Sequence, residues 1–279
     1  MNKTILVPTD FSHYADNALK YAAALAGKEG SKLLILHAIQ ITYAVSEIPV
    51  QMVMEEISMP QRKAESKLKK LCEAISREYK IKCDFICREG LATEVILETS
   101  ATIRVGLIVM GTQGASGVKE MIFGSNTARV MEESACPVIA VPKGASFHGM
   151  RQIVFSTDYR ESDLMALKAV AAIAKTFRSR ISVLHVADEE LTKKTEQELM
   201  QRFSGEVARK IKYPNISYRV KYGTLPERVL QEHIEKTKSD LIAMSLLRRN
   251  LFQKIFGTSL TRKMAFHSRI PLIAFHYKK

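Results

Sequence analysis

The chain has 279 residues, of which 46% are hydrophobic and 25% charged, and this predicts about two globular domains. Its formal net charge of +13 is uneven, because residues 1–146 carry 17 Lys and Arg against 16 Asp and Glu, whereas residues 147–279 carry 25 against 13. No apolar run approaches the roughly 18 residues of a membrane helix, and the N-terminus lacks the apolar core of a signal peptide, so we expect a cytoplasmic protein.

The first half alternates short apolar runs with segments of helical periodicity. Ser12 is a favourable N-cap for the first helix. The pattern predicts strands at 4–8, 33–38, 82–87, 105–110 and 138–141, and helices at 11–28, 60–80, 93–101 and 125–134. Continuous apolar strands separated by helices predict a parallel sheet that is covered on both faces.

Residues 40–59 form an insertion that is apolar for a loop and holds three methionines. Three interpretations remain open for it: a lid or wall over a ligand, an interface patch, or an extra helical turn. The chain has four cysteines, and Cys83 and Cys87 lie in one predicted strand, where a rise of roughly 3.3 Å per residue puts their Cα atoms ~13 Å apart. That separation excludes a disulfide between them, so we expect reduced thiols.

The second half repeats the first. Asp158 and His185 match Asp10 and His37 at an offset of 148 residues, and a G-x3-E pattern at 223–227 matches the one at 90–94 at an offset of 133. The sequence therefore predicts a tandem duplication, with domains at 1–146 and 147–279.

A glycine-rich stretch links the fourth strand to the following helix. Its spacing is G-x2-G-x9-G-S, formed by Gly111, Gly114, Gly124 and Ser125. This differs from the P-loop and from the dinucleotide G-x-G-x-x-G. Glycines let backbone N–H groups approach an anion, and a helix N-terminus adds partial positive charge. The stretch therefore predicts a phosphate site, and in an open parallel sheet Pro8, Thr9 and Asp10 at the end of strand one would flank the same crevice.

These motifs resemble the tandem-type universal stress protein (UspA-like) family. The resemblance covers both halves and rests in the first on LVPTD at 6–10, LLILHAI at 33–39, GTQGASG at 111–117, FGS at 123–125 and CPVIAVP at 136–142. It implies two five-stranded parallel open sheets in the order 3-2-1-4-5, of the Rossmann-like, adenine nucleotide α hydrolase-like type. It also implies that the last strands, at 138–141 and 272–275, pair into an intrachain pseudo-dimer, and a further homodimer stays open.

The resemblance also implies ATP, with or without Mg²⁺, as the ligand. Asp10 would contact the adenosine or ribose, Pro8 and Thr9 would shape the strand-one wall, and the backbone of Ala38 would meet the adenine. The remaining residues would lie under the sugar and hold the phosphates: Met110, Gly111, Gly114, Gly124, Ser125 and Asn126.

The second half departs from this pattern. Ser245 replaces the first glycine, Arg248 replaces the second, and Ser156 replaces Pro8. An arginine where the backbone must approach a phosphate predicts that this half does not bind ATP in the same pose. Arg248 and Arg249 either hold a different anion or belong to a degenerate partner domain.

The sequence assigns no catalytic residue and no protein metal site, so we expect at most slow ATP hydrolysis. The first functional hypothesis is a cytoplasmic ATP-binding stress-response or signalling module that acts on a protein partner. The first alternative is a slow ATP-hydrolysing or adenylating enzyme, although Thr9 to Ser12 lack the SGGxDS-like loop that such enzymes use. The second alternative is binding of an anionic partner by the basic second domain, with nucleic acid disfavoured because no recognised nucleic-acid motif accompanies the charge.

Overall fold

The computed structural model describes residues 4–40, 50–112, 124–187, 193–246 and 270–277, and of residues 50–58 the backbone alone. Within these residues the chain divides into two compact units, and the division falls between Phe147 and His148. Each unit alternates strands with helices, and each is described by itself.

The first unit is a parallel sheet with helices packed against it. Its elements in the described residues are β1 (Thr4–Pro8), α1 (His13–Glu29), β2 (Lys32–Ile39), α2 (Val50–Tyr79), β3 (Cys83–Glu89), α3 (Ala92–Ile103), β4 (Leu107–Gly111), α4 (Ser125–Glu133) and β5 (Val138–Val141). The parallel pairings give the order β3-β2-β1-β4-β5. This confirms the predicted order and puts the carboxyl ends of all five strands at one edge.

The second unit repeats this architecture. Its elements in the described residues are β6 (Gln152–Ser156), α5 (Glu161–Phe177), β7 (Arg180–Ala187), α6 (Lys193–Lys210), β8 (Ile216–Tyr222), α7 (Pro226–Thr237), β9 (Leu241–Ser245) and β10 (Leu272–Phe275). The pairings are again parallel, in the order β8-β7-β6-β9-β10. The two units therefore share one strand topology, as the repeat predicts.

The core of the first unit lies between the central strands and the small residues of α1. Leu6 and its register partner Ile108 are fully buried, and so are Ala18 and Ala22 of α1, the helix that packs against β1 and β4. Alanines at this spacing let the helix approach the sheet closely, so the strand side chains fill the interface. No helix in the described part of the chain combines the length and apolar composition needed to cross a bilayer.

Two helix starts show how well local signals work. The predicted N-cap is confirmed, because Ser12 Oγ accepts the N–H of Ala15 at 3.3 Å. The predicted start of the second helix at Pro60 is wrong, because α2 begins at Val50 and carries Pro60 inside it. Proline is favoured in a first helical turn, whereas inside a helix it removes one backbone hydrogen bond and its ring clashes with the preceding turn, so local signals favour a start at this residue. Of the three interpretations of residues 40–59, the structure shows additional helix at residues 50–59. Residues 41–49 lie outside the described residues.

The thiols are unreactive in character. The four cysteines are free, and burial raises the pKa of each thiol: Cys72, Cys83, Cys87 and Cys136. A raised pKa lowers the thiolate fraction at neutral pH, so these side chains are poor nucleophiles.

Gly90 and Gly205 offer a matched stability test. Gly90 has a φ of +139°, and a Cβ there would lie 2.9 Å from Val95 Cγ2, whereas a Cβ on the exposed helical Gly205 meets nothing within 4 Å. We expect Gly90→Ala to lower the free energy of unfolding by about 2 kcal/mol, because it adds backbone strain and a steric clash. Gly205→Ala should raise it by roughly 0.5–1 kcal/mol. Urea unfolding followed by circular dichroism measures both, and changes of the same sign would contradict the structure.

Candidate functional site

The turn from β1 to α1 is fixed by side chains that bond to its backbone. Thr9 Oγ1 accepts the N–H of Phe11, and Asp10 Oδ1 accepts the N–H of Ser12, both at 3.0 Å. His37 Nδ1 donates to the carbonyl of Thr9 at 2.7 Å, and its ring centroid lies 4.5 Å from that of Phe11. These contacts hold Phe11 at a φ of +59°, which a bulky residue rarely adopts. The turn thereby presents Asp10 at the carboxyl end of β1.

The junction of β4 and α4 forms a second wall. The N–H of Gly124 donates to the carbonyl of Thr112 at 2.6 Å, and the buried Thr127 Oγ1 donates to the carbonyl of Gly111 at 2.8 Å. Gly124 is the N-cap of α4 and has no side-chain oxygen to accept the first N–H groups of the helix. Those N–H groups and the helix dipole make this helix start suited to an anion.

The third wall comes from β2 and the turn into α3. The N–H of Gly90 donates to the carbonyl of Ile39 at 3.0 Å, which brings the start of α3 next to the end of β2. Ala92 and Ile96 of α3 then face the same space as Ala38 of β2. The positive φ of Gly90 is what lets the chain reverse direction here.

These three walls enclose one crevice at the carboxyl ends of β1, β2 and β4. Its empty volume is about 750 Å³, a figure that includes open solvent at the mouth. Nine of the ten residues predicted for nucleotide binding line it: Pro8, Thr9, Asp10, Ala38, Met110, Gly111, Gly124, Ser125 and Asn126. The tenth, Gly114, lies outside the described residues.

The crevice has two chemically distinct parts. Leu36, Ala38, Ala92 and Ile96 give it an apolar side, while the backbone at Gly111 and the start of α4 give it a polar side. An apolar slot suits a flat aromatic group, and N–H groups at a helix start suit an anion. The exposed Asp10 carboxylate also lines the crevice and can accept hydrogen bonds from hydroxyl groups.

The sequence prediction did not include five of the lining residues: Ala15, Leu36, Ala92, Ile96 and Thr127. The G-x3-E pattern marked the turn into α3 but was used only as a sign of duplication. Because β3 is paired in parallel with β2, the helix that follows β3 has to start at the same edge of the sheet, beside the crevice. Ala15 and Leu36 could not be recognised from the sequence, because apolar side chains that only shape a crevice look like ordinary core residues.

The second unit keeps some of these features and loses others. Thr157 and Asp158 follow β6 as Thr9 and Asp10 follow β1, but Ser245 ends β9 where Gly111 ends β4. Ser245 is 7% exposed and hydrogen-bonds to Asp163 of α5. Arg248, Arg249 and the Gly-Thr-Ser at 257–259 lie outside the described residues. Over the residues that the structure describes, no group of three or more His, Cys, Asp and Glu side chains is arranged to hold a metal ion.

Comparison with known proteins gives a consistent result. The profile of the universal stress protein family matches residues 1–142 and 149–276. A universal stress protein of Synechocystis is 33% identical over 142 residues, which is 51% of this chain and 87% of that protein. One of Methanocaldococcus jannaschii is 28% identical over 144 residues, which is 50% of this chain and 82% of that protein.

Solved structures agree at the level of the fold. A universal stress protein from Archaeoglobus fulgidus is similar with a TM-score of 0.72 at 22% identity, over 98% of this chain and 96% of that one. A second, from Pseudomonas aeruginosa, has a TM-score of 0.62 at 14% identity, over 98% and 93% of the two chains. Because the family profile matches nearly the whole chain in two successive copies, this protein belongs to the universal stress protein family and carries two of its domains in tandem.

Proposed function

We propose that the first unit binds ATP in its crevice and that the protein is a cytoplasmic stress-response module controlled by this nucleotide. The proposal rests on one observation: the apolar slot, the Asp10 carboxylate and the N-terminus of α4, which has no side-chain cap, all line one crevice. These parts suit a base, a sugar and a phosphate chain in that order. Membership of the family supports the same ligand.

The proposed pose follows from the chemistry of each wall. The adenine lies against Ala38 and the apolar residues of α3, and the ribose hydroxyls donate to Asp10. The phosphates lie against Gly124 and receive N–H groups from Ser125 and Asn126, where the helix dipole favours negative charge. Mg²⁺ would arrive with the phosphates, since this ion is usually bound through phosphate oxygens and water.

The ligand is identified most directly by mass spectrometry of the small molecules released from freshly purified protein. Isothermal titration calorimetry with ATP then measures affinity and stoichiometry, and we expect one site per chain. Two equal sites would contradict the assignment of binding to the first unit alone. Titrations with ADP, AMP and cyclic AMP show how much of the affinity depends on the phosphate chain.

Asp10 allows a substitution that keeps the turn and removes the charge. The Oδ1 atom of asparagine can still accept the Ser12 N–H, so Asp10→Asn should fold normally. We expect ATP affinity to fall by about tenfold, because a hydrogen bond to a charged acceptor is stronger than one to a neutral amide. The matched control is Asp158→Asn at the equivalent place in the second unit, which should bind ATP like the wild type. Equal effects of the two substitutions would disprove the proposed ribose contact.

Catalysis is tested separately. Measurement of ADP formation over hours distinguishes a nucleotide-binding module, which releases its ligand unchanged, from a slow hydrolase. Multiple turnovers per minute would favour the enzyme alternative, and the Asp10→Asn variant would then show whether the same crevice is responsible.

A further inference from the structure

The two units build their first turn with the same set of contacts. In the second unit the threonine hydroxyl accepts the N–H of the aromatic residue at 3.0 Å, the histidine Nδ1 donates to the threonine carbonyl at 2.7 Å, and the aromatic residue has a φ of +62°. The three residues are Thr157, Tyr159 and His185. The two distances equal those of the first unit and the φ differs by 3°, from +59° to +62°, so the scaffold around the crevice position is the same.

Two of the residues at the crevice position are replaced in the second unit by larger, polar ones. Asp163 follows Asp158 by five residues, as Ala15 follows Asp10. Ser245 ends β9, as Gly111 ends β4. Ala15 and Gly111 line the crevice of the first unit, so the second unit has a carboxylate and a hydroxyl where the first has a methyl group and a hydrogen atom.

These two side chains meet. Asp163 is 3% exposed, and its Oδ1 accepts a hydrogen bond from Ser245 Oγ, which joins the first turn of α5 to the end of β9. Its Oδ2 accepts the Thr157 hydroxyl at 3.0 Å and the N–H groups of Asp158 at 2.8 Å and Arg160 at 3.1 Å. A buried carboxylate that accepts four hydrogen bonds is well satisfied and is held in one position.

We propose that Asp163, held by Ser245, is the specificity-determining residue that excludes nucleotides from the second unit. The pair fills space that is empty in the first unit, and its negative charge repels the phosphate groups of any nucleotide that enters. This inference rests on the proposed function, because it explains why only one of the two similar units binds ATP. It attributes the absence of nucleotide binding in the second unit to Asp163 and Ser245 rather than to Arg248.

A second buried acid reinforces the charge difference. Glu196 of α6 is 2% exposed, accepts the Tyr159 hydroxyl at 3.3 Å and lies 3.4 Å from His185 Nε2. Burial, followed by the nearby Glu196, raises the pKa of the Tyr159 hydroxyl, so this group stays a neutral donor. In the first unit the residue beside the equivalent aromatic ring is Lys67, whose Nζ lies 5.3 Å from the Phe11 centroid. The same turn thus has a cation beside it in one unit and a carboxylate in the other.

The test transfers the pair into the first unit. Ala15→Asp with Gly111→Ser introduces the carboxylate, and Ala15→Asn with Gly111→Ser introduces nearly the same volume without charge. We expect the Asp variant to bind ATP at least tenfold more weakly than the Asn variant in calorimetry. Circular dichroism and thermal unfolding establish that both variants fold.

The outcomes separate this inference from the proposed function. If the wild type binds no ATP, the proposed function fails and the inference fails with it. If the wild type binds one ATP and the Asp and Asn variants lose affinity equally, or neither loses any, the inference alone is overturned. If the first pair of variants does not fold, the reciprocal variant, Asp163→Ala with Ser245→Gly, tests the inference. We expect it to create a second ATP site per chain. A stoichiometry that stays at one overturns the inference.

Discussion

Replacement of Gly124 by aspartate is expected to lower the affinity for ATP by at least about 100-fold while leaving the fold intact. Gly124 is the N-cap of α4 with φ −61° and ψ 151°, a conformation that any residue adopts, and aspartate is among the preferred N-cap residues. Its carboxylate would bond the N–H groups of the first turn and place a negative charge where the phosphates are proposed to bind. At ~4 Å and an effective dielectric constant of about 20, two like charges repel by roughly 4 kcal/mol.

Asparagine at the same position is the matched control. Gly124→Asn caps the helix through a side chain of nearly the same shape but carries no charge, so it should lose much less affinity than Gly124→Asp. Both variants should be at least as stable as the wild type in thermal unfolding. Wild-type affinity in Gly124→Asp would mean that the phosphates lie elsewhere.

Acidification from pH 6.5 to pH 4 is expected to remove up to about 3 kcal/mol of stability through His233 alone. This side chain of α7 is 2% exposed, and its Nε2 lies 3.0 Å from Ser182 Oγ. Burial, followed by the charges of Lys221, Arg219 and Lys236, lowers the pKa of His233 from 6.5 to about 4. The folded state therefore keeps the ring neutral in a pH range where the unfolded chain takes up a proton.

This difference in pKa between the folded and unfolded chain sets the direction in which stability changes with pH. Below pH 6.5 the unfolded chain binds a proton that the folded state refuses, so stability falls as the pH drops and stops falling near pH 4. Each unit of pKa difference corresponds to 1.36 kcal/mol. Titration of the ring protons by NMR should give a pKa near 4. In urea unfolding, His233→Gln should lose less stability than the wild type between pH 7 and pH 4.5, and equal losses would contradict a buried neutral histidine.

Much of the fold was predictable because parallel strands carry their own signal. The apolar run at 138–141 has the same bounds as β5, and the run at 4–8 has the same bounds as β1. Strands that are buried on both faces of a sheet form nearly continuous apolar runs. Two walls of the crevice were equally predictable, because Pro8 to Asp10 and Gly111 stand at the carboxyl ends of strands that must lie together. ATP as the ligand stays a prediction.

Other features depend on contacts between distant parts of the chain. Pro60 has the local signature of a helix start, and only the backbone of residues 50–59 shows that α2 continues through it. Asp163 sits in the first turn of a helix, where an acidic residue is expected for capping alone, so nothing in its neighbourhood signals the bond to Ser245, 82 residues away. His233 likewise gives no sign of its neutral state until α7 is packed beside Ser182 of β7 and the cations of β8.

The shared turn affects how similarity between the two halves should be interpreted. It is formed by Thr9, Phe11 and His37 in the first unit and by Thr157, Tyr159 and His185 in the second. Both units build this turn with the same contacts, so its residues do not by themselves indicate a bound ligand. A search keyed to threonine followed by aspartate would therefore count two working sites in this chain. If Asp163 and Ser245 exclude nucleotides as proposed, small residues at the positions of Ala15 and Gly111 are the better criterion for a binding domain in a duplicated chain.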